Sequence, residues 1–213
     1  MNFWKFVAQN RTEIAELTLE HLWIVGISTL LAVAVGIPVG ILITRKPSLQ
    51  KSVIAAANII QTIPSLALFG FLLPAPWIGE RAGRLAILAL TLYALLPLIR
   101  NTYAGITGVD RAVVEAARGM GLTDWQLLFQ VELPLAASVI LAGVRVAMVM
   151  SIGLATIAAA IGAGGLGELI FRGLTMVNNA VILAGAVPAA LMALAADTLL
   201  GWLEKRLSPQ RAA

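Results

Sequence analysis

Five stretches of this chain carry no charged side chain: residues 22–44, 52–79, 85–99, 146–167 and 173–196. A helix needs about 20 apolar residues, range roughly 17–25, to cross the hydrocarbon core of a bilayer. Backbone polar groups in hydrocarbon must find partners inside the protein, so runs of this kind are committed to helix. Composition agrees: 60% of the 213 residues are hydrophobic, 12% are charged, and the mean hydropathy is +0.92. Soluble domains carry about 25% charged residues. The expected fold is all-α, a polytopic membrane helix bundle of about five transmembrane helices forming one domain over residues 1–213.

The third stretch, Leu85 to Ile99, has 15 residues and crosses only if Arg84 and Arg100 reach outward to the headgroups. Glycine and proline inside the runs, as in VGIPVG at 35–40 and TIPS at 62–65, are tolerated where neighbouring helices re-satisfy the backbone. Gly36 and Gly40 form a GxxxG suited to close helix packing. With the N-terminus outside, the cytoplasmic loops receive Arg45, Lys46, Lys51, Arg100, Arg111, Arg118, Lys205, Arg206 and Arg211. The outer side receives Lys5, Arg11, Arg81, Arg84 and Arg172. Nine against five favours N-out and C-in. The first 20 residues, residues 1–20, are then external. Phe3, Phe6, Val7, Ile14 and Leu17 alternate there with charges, as in a helix lying along the interface, and a disordered tail fits as well. The N-terminus lacks the short basic segment and cleavage site of a signal peptide, so the first span is expected to be retained.

Several chemistries are excluded or disfavoured. With no cysteine, the chain has no disulfide, thiolate metal site or cysteine nucleophile; its one histidine, His21, stands at the outer edge of the first span in an expected solvated interfacial role. No metal site is expected. Lys and Arg never cluster beyond two, which argues against a nucleic-acid partner. No GxxxxGK[ST] loop is present, so ATP must be handled by another chain. Residues 162–167, GAGGLG, satisfy GxGxxG but follow an apolar span where the dinucleotide fingerprint needs a strand. They read as an external turn, either near a gate or passive. Trp4, Trp23, Trp77, Trp125 and Trp202 fall near span ends or in loops, the distribution of an interfacial belt, with an aromatic cage for a quaternary ammonium group as the alternative.

Residues 100–134 form a cytoplasmic loop longer than adjacent helices need, and loops of that length are usually functional. VDRAVVEAARGMG has helical spacing and ends on glycines, Thr123 can N-cap the following DWQLLFQVEL, and Pro134 marks the next break. Glu115-Ala116-Ala117, three residues, Gly121, nine residues, Val131, one residue, then Leu133-Pro134 resembles the EAA signature of binding-protein-dependent ABC importer permeases, with Val replacing Ile. IIQTIPSLALFGFLLP, YALLPLIRNTYAGI and TIAAAIGAGGLGELIFRGL narrow the resemblance to permeases for glycine betaine, choline, carnitine and related osmoprotectants, of the short type without a fused binding domain.

The resemblance implies a bacterial inner-membrane, multi-pass subunit with an ABC type I importer fold. Its implied partners are a second permease copy or paralogue, two ATP-binding subunits that hold ATP and Mg, an external substrate-binding protein, a small osmolyte and membrane lipid. No cofactor is implied for the chain itself, which would perform no covalent chemistry. The segment 100–134 would be the coupling loop, with Ala116, Ala117 and Gly121 pressed into a cleft on the ATPase and Asp110, Glu115, Arg118 and Asp124 setting its register.

Path candidates are the polar residues inside spans, Asn58, Gln61, Thr62, Ser65, Ser151 and Thr156, although hydrogen bonding between helices explains them too. Arg145 and Asp197 are the ionisable residues inside spans, where charge is costly. Arg145 lies 11 residues past Pro134 and Asp197 8 residues before Lys205, so their depths are roughly 16 and 12 Å at ~1.5 Å per residue. They are expected either to pair as gate or brace or to anchor separately. Rival readings are an amino-acid or methionine importer permease, an intramembrane enzyme acting on lipid-linked substrates, and a passive channel.

Overall fold

The computed structural model describes residues 2–74 and 82–207; Trp77, Arg81 and Arg211 lie outside the described residues. In chain order the helices are α1 (Phe3–Gln9), α2 (Arg11–Arg45), α3 (Pro47–Thr62), α4 (Ser65–Leu72), α5 (Ala82–Thr107), α6 (Arg111–Gly119), α7 (Asp124–Leu127), α8 (Leu133–Ala158), α9 (Gly167–Thr175) and α10 (Asn179–Leu207). A π turn, Leu128–Glu132, runs α7 into α8, and a 3-10 turn, Ala159–Ile161, ends α8. No strand occurs among the described residues.

Four of these segments are long and apolar enough to cross a bilayer: α2, α5, the continuous stretch Asp124–Ile161, and α10. The second charge-free run does not form a straight span. α3 and α4 meet at a bend of 99° and make a fifth crossing only as a pair. Pro64 is the cause, since proline lacks an N–H and pushes the residue before it out of the helical region. Ile63 accordingly has φ −69° and ψ 128°.

The third run is not short. α5 has 26 residues, about 39 Å at ~1.5 Å per residue, because Arg100 does not end it. Arginine is a good helix former, and the exposed Arg100 Nη2 donates to Asn58 Oδ1 of α3 at 3.0 Å. Residues 100–107 therefore continue α5, and the connector proper begins at Gly108. Residues 3–9 and 11–20 are helical, so the disordered-tail alternative does not hold. Phe6 and Leu17 are buried against Leu166, Leu169, Ala180 and Val181, with Phe3, Val7 and Ile14 packed around them. The apolar stripe of α1 and early α2 therefore faces protein.

α5 sits between α2 and α8, and both flanks are set by small residues. A Cβ on Gly36 would fall 2.8 Å from Leu98 Cβ, and one on Gly40 would fall 2.5 Å from Thr102 Cβ. On the other side, a Cβ on Gly143 of α8 would meet Asn101 Cβ at 2.6 Å. Lipid supplies little hydrophobic drive for helices to associate, so such close approach, with its dispersion contacts, is what holds them.

Gly26 provides the matched control, because a Cβ there has no neighbour within 4 Å. Gly40→Ala should lower the melting temperature of the detergent-solubilised protein, through an overpacking cost of about 1–3 kcal/mol. Gly26→Ala should leave it unchanged or raise it slightly. Equal melting temperatures for the two variants would refute the close-packing account of α2 and α5.

Candidate functional site

The connector between α5 and α8 is a preformed helical hairpin. Asp110 Oδ1 accepts from the Ala112 amide at 2.8 Å and caps α6. Gly121 ends it at φ +87°, a backbone region where glycine is unstrained. The Leu122 amide returns to Ala117 O at 3.2 Å and the Gly121 amide to Arg118 O at 2.9 Å, the paired bonds of a Schellman stop. Thr123 and Gln126 then form a capping box that starts α7. Helix, turn and helix are each closed by local sequence.

The two faces of this hairpin differ. Ala117 is buried, so of the small residues on α6 it belongs to the inward face, while Ala112 and Ala116 are exposed. Glu115 accepts from Arg111 Nε at 2.8 Å, and Arg118 stands 3.8 Å from Asp124, both pairs lying at the surface. The outward face also carries apolar residues that the charge-and-alanine pattern missed: Met120 is 75% exposed, Trp125 71% and Phe129 59%. Trp125 stacks on Phe129 with ring centroids 5.8 Å apart. It stands at the start of the continuous helical stretch Asp124–Ile161. Large apolar side chains left open on a polar segment are a mark of a docking surface.

Where the hairpin joins the bundle, an ion pair that sequence reading did not find bridges 87 positions. Glu132, 5% exposed at the end of the π turn, receives both terminal nitrogens of Arg45, the last residue of α2. Only its place beside Leu133-Pro134, an acid at the mouth of an apolar helix, hinted at it.

Three of the six path candidates come together. Gln61, Thr62 and Ser65 line a cleft of about 500 Å³ at the α3–α4 bend, facing Tyr93 of α5 and Met150 and Gly153 of α8. The bend is held from α5: the Tyr93 hydroxyl donates to Ile63 O, and Gln61 Nε2 donates to Tyr93 O at 3.3 Å. The other three are elsewhere. Asn58 is engaged by Arg100, Ser151 is buried, and Thr156 Oγ1 donates to Gly153 O at 2.7 Å on its own helix.

Arg145 does meet Asp197, Nε to Oδ1 at 3.7 Å, but it also meets Glu204, Nη2 to Oε2 at 3.4 Å. Positions 197, 201 and 204 share one face of α10. Gly201 lets the guanidinium pass, since a Cβ there would lie 2.8 Å from Arg145 Nη1. The expected pair is thus a cation shared by two acids.

At the opposite end, His21 is not solvated. It is fully buried and its Nε2 donates to Ile152 O of α8 at 3.1 Å. Its neighbour Glu20 accepts from the Gly165 amide at 2.9 Å. The GAGGLG segment is a turn, with Gly162, Gly164 and Gly165 at φ between 77° and 88°, and it is anchored to the head of α2. Trp4 and Trp23 are exposed, and Arg206 lies 4.3 Å over the ring of Trp202. Among the described residues, no three His, Asp or Glu side chains gather as a metal site.

Residues 36–209 match the family described as the binding-protein-dependent transport system inner membrane component. The chain belongs to this family. It is a permease subunit and a multi-pass protein of the bacterial cytoplasmic membrane, and permease subunits of this kind are not themselves enzymes. It is 44% identical to the carnitine transport permease protein OpuCB of Listeria monocytogenes, over 96% of this chain and 93% of that protein. It is 47% identical to the glycine betaine/carnitine/choline transport system permease protein OpuCD of Bacillus subtilis, over 96% and 88%. The osmoprotectant import permease protein OsmW of Salmonella typhimurium is 42% identical over 96% of both chains. Among solved structures, a chain of the MetNI methionine ABC transporter in an inward-facing conformation superposes with a TM-score of 0.83 at 23% identity, covering 92% of this permease and 96% of that chain. The all-α bundle is that of an ABC type I importer permease.

The shared cation makes a graded prediction for the permease. Glu204→Gln should destabilise it more than Asp197→Asn, because Glu204 is the closer and less exposed acid. Arg145→Met should cost most, by leaving two acids without their cation. Thermal unfolding in detergent measures this order. Additive, equal losses for the two acid variants would refute a shared cation.

Proposed function

We propose that this permease carries compatible solutes, glycine betaine, carnitine or choline among them, into the cell by alternating access driven by two separate ATPase subunits. The observation that carries the coupling half of this reading is the α6–α7 hairpin. It stands out from the bundle, is closed by its own caps, and presents Glu115, Ala116, Met120, Trp125 and Phe129 outward. A preformed segment loses little conformational freedom on docking. The solute class rests on the relatives, named for carnitine, choline and glycine betaine transport at 44–47% identity. It is favoured over methionine, whose transporter is similar at 23% identity and supports the fold alone.

In this reading ATP and Mg stay on the partner subunits. An external binding protein selects the solute, and a second permease, identical or paralogous, completes the path. The cleft at the α3–α4 bend is this chain's share of the passage, because a broken helix inside a membrane is tolerated where it lines a cavity or is covered by protein. The residues engaged by the ATPase are Asp110, Glu115, Ala116, Arg118, Gly121 and Asp124, with Ala117 holding the hairpin to the bundle. Closure of the ATPases displaces the hairpin, and the spans exchange inward for outward opening.

The complex reconstituted in vesicles with its ATPases and binding protein should hydrolyse ATP faster with glycine betaine, carnitine or choline than with methionine. Stimulation by methionine alone would reassign the solute. Gly121→Val places a β-branched side chain at φ +87°, straining the turn by about 1–2 kcal/mol or more. Together with Glu115→Lys it should abolish co-purification of the ATPases while the chain stays in the membrane. Undiminished co-purification and transport would remove the hairpin from the dock.

Orientation has its own test, and the native chain has no cysteine to confuse it. Single cysteines at Ser48 and Leu122 should be shielded from an impermeant thiol reagent in intact cells, and one at Met176 should react. Ile78, which lies outside the described residues, should react as well. Labelling at Leu122 from outside would invert the topology.

A further inference from the structure

We propose that the Arg45–Glu132 ion pair is the link by which movement of the α6–α7 hairpin reaches α2, α3 and the bend at the passage. Both are positioning residues for transport, and the proposal rests on the coupling role given to the hairpin above.

The hairpin joins α5 across the break at residues 108–110 and enters the bundle as continuous helix only through the π turn into α8. Leu127 and Leu128 are buried at that point, and Leu128 packs with Ile106, Ala136 and Ile140, flanked by Ile37 and Ile41 of α2. Apolar surfaces of this kind are non-directional, so they can slide. The ion pair cannot slide in the same way. Both guanidinium nitrogens of Arg45 engage the two carboxylate oxygens of Glu132, a fork that fixes orientation as well as distance.

Glu132 is placed where motion would enter. It is the last residue of the π turn, a local widening of the helix that occurs often at functional sites. Arg45 is placed where motion would leave. It is the last residue of α2, and α3 begins at Pro47 with only Lys46 between. A pull on Arg45 is therefore a pull on the first turn of α3, whose other end is the bend at Ile63–Pro64 beside the cleft. Tyr93 and Gln61 hold that bend against α5.

A simple brace explains the burial less well. Glu132 is buried while Arg45 keeps about a third of its side chain open; an ion pair with a buried member is often no more stabilising than apolar residues of the same volume, and its better-attested use is to fix one arrangement against others. Here the arrangement fixed is the register between the head of α8 and the tail of α2.

The test uses the complete complex in vesicles, with ATPase subunits and binding protein, and measures solute imported per ATP hydrolysed. Glu132→Gln and Arg45→Gln should still co-purify the ATPases and hydrolyse ATP, with import per ATP lowered about tenfold, inside the ordinary range of coupling between sites. The double exchange Arg45→Glu with Glu132→Arg should recover most of that loss; a pair that only braced the fold would lower the melting temperature of the single variants and leave import per ATP hydrolysed unchanged. An unchanged ratio in the single variants, loss of ATPase co-purification in them, or a double variant no better coupled than either single would each overturn the link. The coupling reading itself would fail differently, through wild-type protein that binds no ATPase at all.

Discussion

Hydrocarbon gives an apolar helix no reason to prefer a neighbour over a lipid chain, so a membrane bundle depends on how closely its backbones can come together. In this permease that closeness is concentrated on α5. Gly36 and Gly40 bring α2 onto Leu98 and Thr102, and Gly143 brings α8 onto Asn101. The remaining geometry follows from these two flanks. Arg45 of α2 can reach Glu132 at the head of α8 because both helices are clamped to the same central helix.

Polar interactions act in the bundle as discrete fasteners. Glu20 ties the glycine turn to the head of α2, His21 ties α2 to α8, Arg145 ties α8 to α10, and Arg45 ties the tail of α2 to the start of α8. Each joins elements far apart in sequence and sits away from the cleft at the α3–α4 bend. Burying such groups is costly without partners, so each is found paired, although Nδ1 of His21 and Oε2 of Glu204 have no hydrogen bond among the described residues, the latter facing Arg145 as an ion pair alone.

How much of this was legible in the sequence depends on the range of the interaction. The EAA hairpin is built from contacts within a few residues, and its caps, glycine stop and helix order could be read from spacing. Gly36 and Gly40 were legible as a packing motif, though not their partners. Charge-free runs located the spans but misplaced their ends, because a charged residue need not end a helix: α5 runs through Arg100 to Thr107. Depth counting brought Arg145 to Asp197, and it overlooked Glu204, two turns further along the same face. His21 was misread because solvation at a span edge and burial against another helix leave the same local pattern. Glu132 escaped for the same reason in reverse, since its partner lies 87 positions away. Of the path candidates, those beside Pro64 gathered at the cleft, where the proline itself was the signal.

The self-contained hairpin has a consequence for how such transporters diverge. Its helices are capped by Asp110, Gly121 and the Thr123–Gln126 box, all within the segment, and its shape therefore owes little to the spans beneath it. A segment with that independence can change partner-facing residues, or be exchanged whole between related permeases, without refolding the bundle. Under the coupling role proposed above, contact with an ATPase and the lining of the passage then occupy separate stretches of one short chain, free to evolve at different rates.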